Sequence, residues 1–594
     1  MCGICGQVLC REKVDLEAFV RMRDSLAHRG PDGAGAHVSA DGSAALGHRR
    51  LALVDLSPAG AQPMANEDAT LWLSANGEIY NAPLLRAKLR ALGHTFSSRS
   101  DSEVILHGYE EWGEGVLGRL SGMFALALWD ERKGRLFLAR DRFGIKPLYW
   151  CASPRGFAFA SEAKALAANP LFPLEMDVSA ACSYFVYRYV PSPGTIWKNV
   201  YKLPPGACLT VDRGRPGKVR PWYTLPAGRL RPSMEEAAEE VRRLLKKSVA
   251  GHLQSDVPVG SLLSGGYDSS ALAVLLSDLD YQAHCFSIGF SGWEASEHRY
   301  ARMVAEALGL PLSERILDPG DLSLLDELAW VYDEPLADIS TLPTHQVSAL
   351  AAERVKAVFS GEGADELFGG YTWQREYANL WASLCLPRRA AARLGAFLGR
   401  TGVPFYANAM AMGRFNRGEL RRLLCPDLHR FIPRDPDWFY RKHFRPGLPP
   451  LRSIQHLDAR CFMGELVLTK VDRASMAHSL EVRVPFLDPD LVDFALSLDE
   501  SVVFSPQRTK PLLRTILEGR VPPGILARSK QGFVGPDSYY GDMEWYRDRL
   551  CKGALVKDGI VRRKALSHYL QTRDQWRLWK VLVFDLWYAR WAGR

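Results

Sequence analysis

Two short segments carry side chains whose order suggests chemistry. The chain begins Met1-Cys2-Gly3. Loss of Met1 would leave Cys2 with a free α-amino group, which titrates at about 7.7–8.0 in unperturbed peptides. Such an amine can act as base for its own thiol, directly or through a water, and the thiolate then attacks a carbonyl carbon. The competing reading is a cysteine that merely sits in a buried first strand. Cys2 and Cys5 also have CxxC spacing. No second Cys/His pair at metal spacing and no thioredoxin-like context accompany them, so neither zinc nor redox chemistry is expected of this pair. The second segment is Ser264-Gly265-Gly266-Tyr267-Asp268-Ser269-Ser270. Glycines let an anion approach the backbone closely. The hydroxyls of Ser264, Ser269 and Ser270 can donate to phosphate oxygens. Asp268 would repel a phosphate and is better read as a magnesium ligand. The segment lacks the Gly-Lys-Ser/Thr ending of a Walker A loop. Its five fixed positions, SGGxDS, would arise by chance about once in a thousand chains of this length at average residue usage, so a plain turn is a poor alternative.

Both segments need elements to hold them. Before residue 210 the chain is turn-rich, with short apolar runs at 70–75, 123–129, 136–139 and 157–160. Asn76-Gly77, Lys133-Gly134 and Pro154-Arg155-Gly156 punctuate them, which reads as sheet-rich α+β structure. Helices are expected over 84–92 and 101–109. Residues 224–232 (TLPAGRLRP) read as a linker. Ser233 followed by Glu236 then fits a capping box, and Val241, Leu244, Leu245, Val249 and Leu253 recur at helical spacing. Glu239 and Arg243 have i,i+4 spacing on the polar face. Beyond this helix the apolar runs 257–263 and 357–360 each lead into a glycine-rich turn and a helical stretch, the first at 271–276. Strand, glycine-rich loop and helix present backbone N–H groups to a phosphate, and their repetition indicates a parallel α/β sheet. From about Trp373 onward the pattern is mostly helical.

The companions of Cys2 give the first segment its context: LAHRGPDG at 26–33, GHRRLALVD at 47–55, NGEIYN at 76–81, RDRFGIKPLY at 140–149 and FASEAKAL at 159–166. With these, residues 2–210 resemble the glutaminase half of the glutamine-hydrolysing asparagine synthetase family. The resemblance implies Cys2 as nucleophile, with Asn76 and Gly77 as the oxyanion hole. It implies Arg50 for the glutamine α-carboxylate, the Val54 backbone as a further contact, and Glu78 and Asp101 for the α-ammonium. Arg49 is adjacent to Arg50, and the resemblance favours Arg50. The SGGYDSS loop is similar to the pyrophosphate loop of ATP pyrophosphatases, and FSGEGADELFGGY at 359–371 to their second nucleotide loop. By that likeness Ser264, Gly265, Gly266, Asp268, Ser269 and Ser270 bind pyrophosphate. Leu263, Ile288, Ser360 and Gly361 hold adenine and ribose, Asp268 and Asp365 bind Mg²⁺, and Glu362 serves acyl-adenylate formation. Lys530, in RSKQGF at 528–533, would stabilise the departing pyrophosphate. VRVPFLD at 482–488 would line the acceptor side, and Lys510 sits in TKPLLR, a helix-start pattern. Arg473, Arg483 and Arg528 read equally well as ion pairs between helices and as site groups.

The implied architecture is an αββα-layered N-terminal-nucleophile domain at 2–215, then an α/β ATP pyrophosphatase domain with a helical C-terminal part at 233–594. The implied reaction hydrolyses glutamine and passes ammonia through an interface tunnel to an acyl-adenylate made from ATP. Aspartate is the majority acceptor of the family; another carboxylate, such as a sugar acid or natural-product precursor, is the alternative. Tyr267 replaces the small aliphatic residue usual in that loop. Composition agrees with a soluble enzyme. The 594 residues are 47% hydrophobic and 24% charged, with a net charge of +8. Neither a concentrated basic stripe nor an apolar run of spanning length occurs, so nucleic-acid and membrane partners are not expected. Eleven irregularly spaced cysteines suit reduced thiols and a cytoplasmic location. A homodimer stays open.

Overall fold

The computed structural model describes residues 1–594 apart from 319–321, 385–386, 389–393, 396–400, 506–507, 529 and 593–594. Over the described residues the N-terminal part builds two antiparallel sheets. In one, Gly3–Leu9 lies between Ala44–Arg50 and Gly156–Ala160. In the other, Leu71–Ile79 pairs along its length with Gly122–Asp130. Side-chain alternation along strands explains the layering. Ile4 and Val8 face Ala125, Ala127, Leu136 and Leu138 between the sheets. Cys5 and Leu9 point the other way, onto Phe19 and Met22 of helix Leu16–Asp24. Leu73, Leu126 and Leu128 face Leu85, Leu89, Val104 and Leu106 of helices Ala82–Ala91 and Glu103–Trp112. The order is helix, sheet, sheet, helix, as the resemblance implies. The second sheet continues to Arg220–Pro221.

Helix Met234–His252 opens the second part with the expected reciprocal Ser233–Glu236 capping box. Arg243, however, pairs with Glu240 rather than Glu239, because the i,i+3 carboxylate accepts both guanidinium N–H groups at 2.7 Å. Five parallel strands follow, in the order Leu312–Leu317, Cys285–Phe290, Val259–Leu262, Ala357–Phe359, Glu481–Arg483. The order of strand addition reverses between Val259–Leu262 and its parallel neighbour Ala357–Phe359, so both glycine-rich loops emerge side by side at the switch point. Helix Tyr267–Ser277 begins four residues before the expected 271, with Gly266 as its N-cap. Asp268, Ser269 and Ser270 therefore lie in its first turn.

A helical run over 450–476 crosses the interior, as Pro450–Leu457, a π-helical stretch Asp458–Val467, and Leu468–Met476. One apolar core, from Cys5 and Phe19 through Leu272 and Leu466 to Trp587, runs through both parts of the chain. Among the described residues, no helix is long and apolar enough to cross a membrane.

Candidate active sites

Cys2 sits at the start of a central strand, with its neighbours supplied by several elements. Its N–H donates to Asn76 Oδ1 at 2.9 Å, and its Sγ lies 4.0 Å from the Leu51 carbonyl. Asn76 is fully buried, and its Nδ2 has no hydrogen-bond partner. A buried amide donor left unpaired is costly, and here it lies beside the thiol-bearing residue. Gly77 is required by close approach: a Cβ there would lie 1.9 Å from the Met123 carbonyl oxygen on the paired strand.

Glu78 and Asp101 are both buried, and Asp101 accepts from the Ile79 N–H at 2.6 Å. Burial, then the neighbouring Asp101 and Glu481 carboxylates, pushes Glu78 well above the usual carboxyl range. Burial also raises Asp101, to about 6. Such a pair is stabilised in its charged form by an incoming cation. The adjacent arginines separate in space. Arg49 donates to the Gly30 carbonyl and approaches Asp24. Arg50 turns into the following loop, donating to the Ser57 and Asp55 carbonyls. Val54 lies in that same loop, next to Asp55. Burial raises the Cys2 thiol, and the chain's terminal amine works against that shift. With Met1 in place that amine pairs with Glu481 at 3.1 Å, both fully buried.

The second site is a cavity of about 550 Å³ at the switch point. Leu263, Ser264, Gly265, Gly266, Asp268 and Ser269 line it from the first loop, Ile288 from the adjacent strand, and Ser360, Gly361, Glu362 and Asp365 from the second loop. Ser270 is fully buried one step further into the helix and does not line the cavity. Glu362 Oε2 is buried without a hydrogen-bond partner. Lys510 bridges the two aspartates, with Nζ 2.5 Å from Asp268 and 2.6 Å from Asp365. Lys530 lies 2.6 Å from Asp365 and 4.0 Å from Asp268.

Burial works to raise Asp365, but Lys510 and Lys530 outweigh it and hold the carboxyl down at about 2. Asp268 is raised by burial and by Asp365. Burial disfavours the charge on Lys530, yet the two aspartates hold its ammonium above the usual range. Glu366, which accepts from the Tyr371 hydroxyl at 2.8 Å, is pushed up to about 7 by burial and by Asp365. Gly370 makes room for this cluster: a Cβ there would meet Asp365 Oδ1 at 1.8 Å and Lys510 Cε at 2.2 Å. Tyr267 turns its hydroxyl away from the phosphate loop, donating to the Leu526 carbonyl at 2.7 Å.

The three arginines left open by sequence divide cleanly. Arg528 lines the cavity, donating to the Ser264 carbonyl at 3.1 Å and pairing with Glu297 at 2.8 Å. Arg473 is fully buried between Glu162 at 2.8 Å and Asp333 at 3.3 Å. Arg483 pairs with Glu481 at 2.7 Å and lies 3.7 Å from Glu78. Val482 of the VRVPFLD segment lines the cavity. Ser529 lies outside the described residues.

The sequence motifs alone give no role to Arg29, Lys510 or Glu481. Arg29, from the LAHRGPDG segment, donates Nε to the Cys2 carbonyl at 3.1 Å and grips Asp472 with Nη1 and Nη2 at 2.9 and 3.0 Å. Asp472 lies on helix Leu468–Met476, whose Lys470 and Val471 line the synthetic cavity. Lys510 had one sequence signal, its place just before a proline at a helix start. Its left-handed backbone, φ 47°, is what the sequence does not announce.

The two sites correspond to two family profiles. One described as "Glutamine amidotransferase domain" matches residues 1–223, and one described as "Asparagine synthase" matches residues 240–589. The chain belongs to the asparagine synthase family. It is 33% identical to glutamine-hydrolyzing asparagine synthetase 1 of Bacillus subtilis, over 99% of this chain and 96% of that one. Glutamine-hydrolyzing asparagine synthetase 3 of the same organism is 32% identical over 96% of this chain and 94% of that one. Amidase chry2 of Gibberella zeae is 30% identical over 87% of this chain and 84% of that one. This family member therefore matches its relatives across both halves.

Proposed function

We propose that the chain is a glutamine-dependent, ATP-consuming carbon–nitrogen ligase, with a glutaminase over 2–215 and a synthetase over 233–594. The observation that carries this reading is the pairing of an unsatisfied Asn76 amide beside Cys2 with two aspartates bridged by lysines in a separate cavity. Once Met1 is gone, the Cys2 amine takes the thiol proton and Sγ attacks the glutamine amide carbon. Asn76 Nδ2 and the Gly77 N–H meet the oxygen on which charge develops. The C–N bond breaks, ammonia leaves, and water hydrolyses the thioester to glutamate. Glu78 and Asp101 receive the substrate ammonium, and Arg50, with the Val54 backbone, its carboxylate end.

In the cavity an acceptor carboxylate attacks the α-phosphorus of ATP, giving an acyl-adenylate and pyrophosphate. Leu263, Ile288, Ser360 and Gly361 hold the nucleoside, while the serines and glycines of the first loop hold the phosphates. Lys510 and Lys530 then have phosphate oxygens in exchange for aspartate. Glu362, with its unpaired oxygen, contacts the reacting carboxyl. Asp268 and Asp365 suit Mg²⁺, a hard cation commonly bound by one or two carboxylates together with substrate phosphates; when bound it neutralises charge on the leaving pyrophosphate. Ammonia, crossing from the first site, displaces AMP to form the amide.

Aspartate is the acceptor we favour. Asp338, Lys470 and Arg188 line one part of the cavity, with Lys470 3.8 Å from Asp338, and opposite charges of this kind suit a zwitterion. A larger carboxylate is the second reading. It draws support from the wall of Trp373, Phe462, Met410 and Met412, where Trp373 stacks on Tyr371 at 4.3 Å. The test is a screen of acceptors for glutamine- and ATP-dependent pyrophosphate release. Turnover with aspartate supports the first reading, turnover only with a larger acid the second, and AMP formation with none refutes the ligase.

A further inference from the structure

The outer helical layer of the N-terminal half holds a cluster that neither site uses. Among the described residues, Glu67, His94 and His107 form a group whose candidate ligand atoms all lie within 4.8 Å of one another. They come from three segments: the turn before strand Leu71–Ile79, the turn after helix Ala82–Ala91, and helix Glu103–Trp112. Glu110, almost one turn beyond His107, adds a fourth donor. Its Oε2 is 3.7 Å from His107 Nδ1 and 3.8 Å from His94 Nδ1. Glu67 Oε2 is 3.7 Å from His107 Nδ1.

His107 is the second, independent observation. It is 1% exposed, yet neither ring nitrogen makes a hydrogen bond of normal geometry, and each meets only carboxylates at 3.5–3.7 Å. Buried polar atoms are rarely left so. Its Nδ1 faces the Glu67 and Glu110 carboxylates, while Nε2 faces Glu103 at 3.5 Å. Glu103 is itself fixed by the backbone N–H and hydroxyl groups of Ser97 and Ser98. A histidine backed by a fixed carboxylate on one nitrogen, with the other aimed at a shared centre, is the arrangement that orients metal-bound imidazoles. The carboxylates are braced too. Glu67 Oε1 accepts from the Thr95 N–H at 3.2 Å and its hydroxyl at 3.1 Å, and Glu110 Oε1 from Asn66 at 3.3 Å.

Four ligands at about 2.0–2.1 Å in a tetrahedron stand about 3.3 Å apart; three of the separations here are 3.7–3.8 Å and those among Glu67, His94 and His107 stay within 4.8 Å, so the side chains must draw inward around an ion. Two imidazoles with two carboxylates suit zinc and its neighbours rather than magnesium or calcium. We propose that Glu67, His94, His107 and Glu110 form a binding site for one zinc-class divalent ion. The ion ties together the segments on either side of residues 95–102, the stretch that carries Asp101.

The test uses the full chain with Cys2→Ala, to remove the reactive thiol, and excess Mg²⁺, to occupy the aspartate pair. Zn²⁺ is titrated by calorimetry, and Co²⁺ by its visible absorption. The expected result is one ion per chain, an intense tetrahedral Co²⁺ spectrum, and a melting temperature that rises with Zn²⁺. His94→Ala, at a partly exposed position, and Glu110→Gln should each weaken binding by about tenfold or more while the chain without metal stays folded by circular dichroism. Sub-stoichiometric binding, an octahedral Co²⁺ spectrum, or unchanged affinity in His94→Ala would overturn the proposal. His107 would then be an imidazolium held among carboxylates.

Discussion

Asn76 allows the sharpest test of the glutaminase site, because its two side-chain ends do different things. Oδ1 accepts from the Cys2 N–H at 2.9 Å, and Nδ2 is buried with nothing to donate to. Asn76→Ala removes both. Losing one oxyanion donor costs about 10²–10³ in kcat, or about 2.7–4 kcal/mol of transition-state stabilisation. Losing the acceptor leaves a buried N–H, a stability cost of about 1–3 kcal/mol. The two effects separate experimentally. Glutamate release reports the first, and thermal melting the second. Pyrophosphate release driven by added ammonium salt reports the other cavity. The expected pattern is a 10²–10³-fold fall in glutaminase kcat, a modestly lower Tm and near-normal ammonia-dependent synthesis. Asn76→Asp should be at least as damaging, since it keeps the acceptor, loses the donor and adds a carboxylate next to Glu78. A folded Asn76→Ala protein whose glutaminase kcat stays within about tenfold of the parent would refute the oxyanion assignment.

Cys2→Ala should abolish glutamine-dependent turnover and leave ammonia-dependent turnover; loss of both in a folded protein would sink the two-site reading. Lys510→Met leaves Asp268 and Asp365 facing each other with one cation fewer. Pyrophosphate release should fall by about 10²-fold or more while glutamate release persists, and unaltered pyrophosphate release would remove Lys510 from the site. The Asp101 carboxyl, raised to about 6, must be ionised to meet the glutamine ammonium. The glutamine KM should therefore rise as pH falls through about 6, and a KM that is flat down to pH 5 contradicts the role. The sign for stability is opposite: between about pH 4 and 6 the folded chain keeps a proton that the unfolded chain has released, so this group subtracts stability as pH rises through that window.

Much of the architecture was readable because local and global signals agree. The Ser233 cap, the short apolar runs at 70–75 and 123–129 and the two glycine-rich loops each need only neighbouring residues to declare themselves. The π-helical stretch Asp458–Val467 and the three-residue strand Glu481–Arg483 carry no such pattern. The first is set by packing, and the second is polar at both ends because Glu481 and Arg483 answer Met1 and Glu78 across the chain. Lys510 escaped for the same reason. Its partners lie 242 and 145 residues away in sequence, and only the fold brings them together. Arginines 49 and 50 illustrate the limit most simply: neighbours along a strand point to opposite faces, and sequence cannot say which face holds the ligand.

The link from the Cys2 carbonyl through Arg29 to Asp472 has a consequence for building hybrid enzymes. Arg29, Lys164 and Arg473 meet Glu162, Asp333 and Asp472 in one buried set of three cations and three carboxyls, with members from both halves. Removing one partner from such a set strands a charge at about 3–5 kcal/mol, a large share of a typical stability margin. A glutaminase half grafted from a relative onto this synthetase half would need matching residues at 29, 162 and 164 to meet 333, 472 and 473. Grafts that respect that set should assemble, and those that split it should yield an insoluble chain even when every catalytic residue is present.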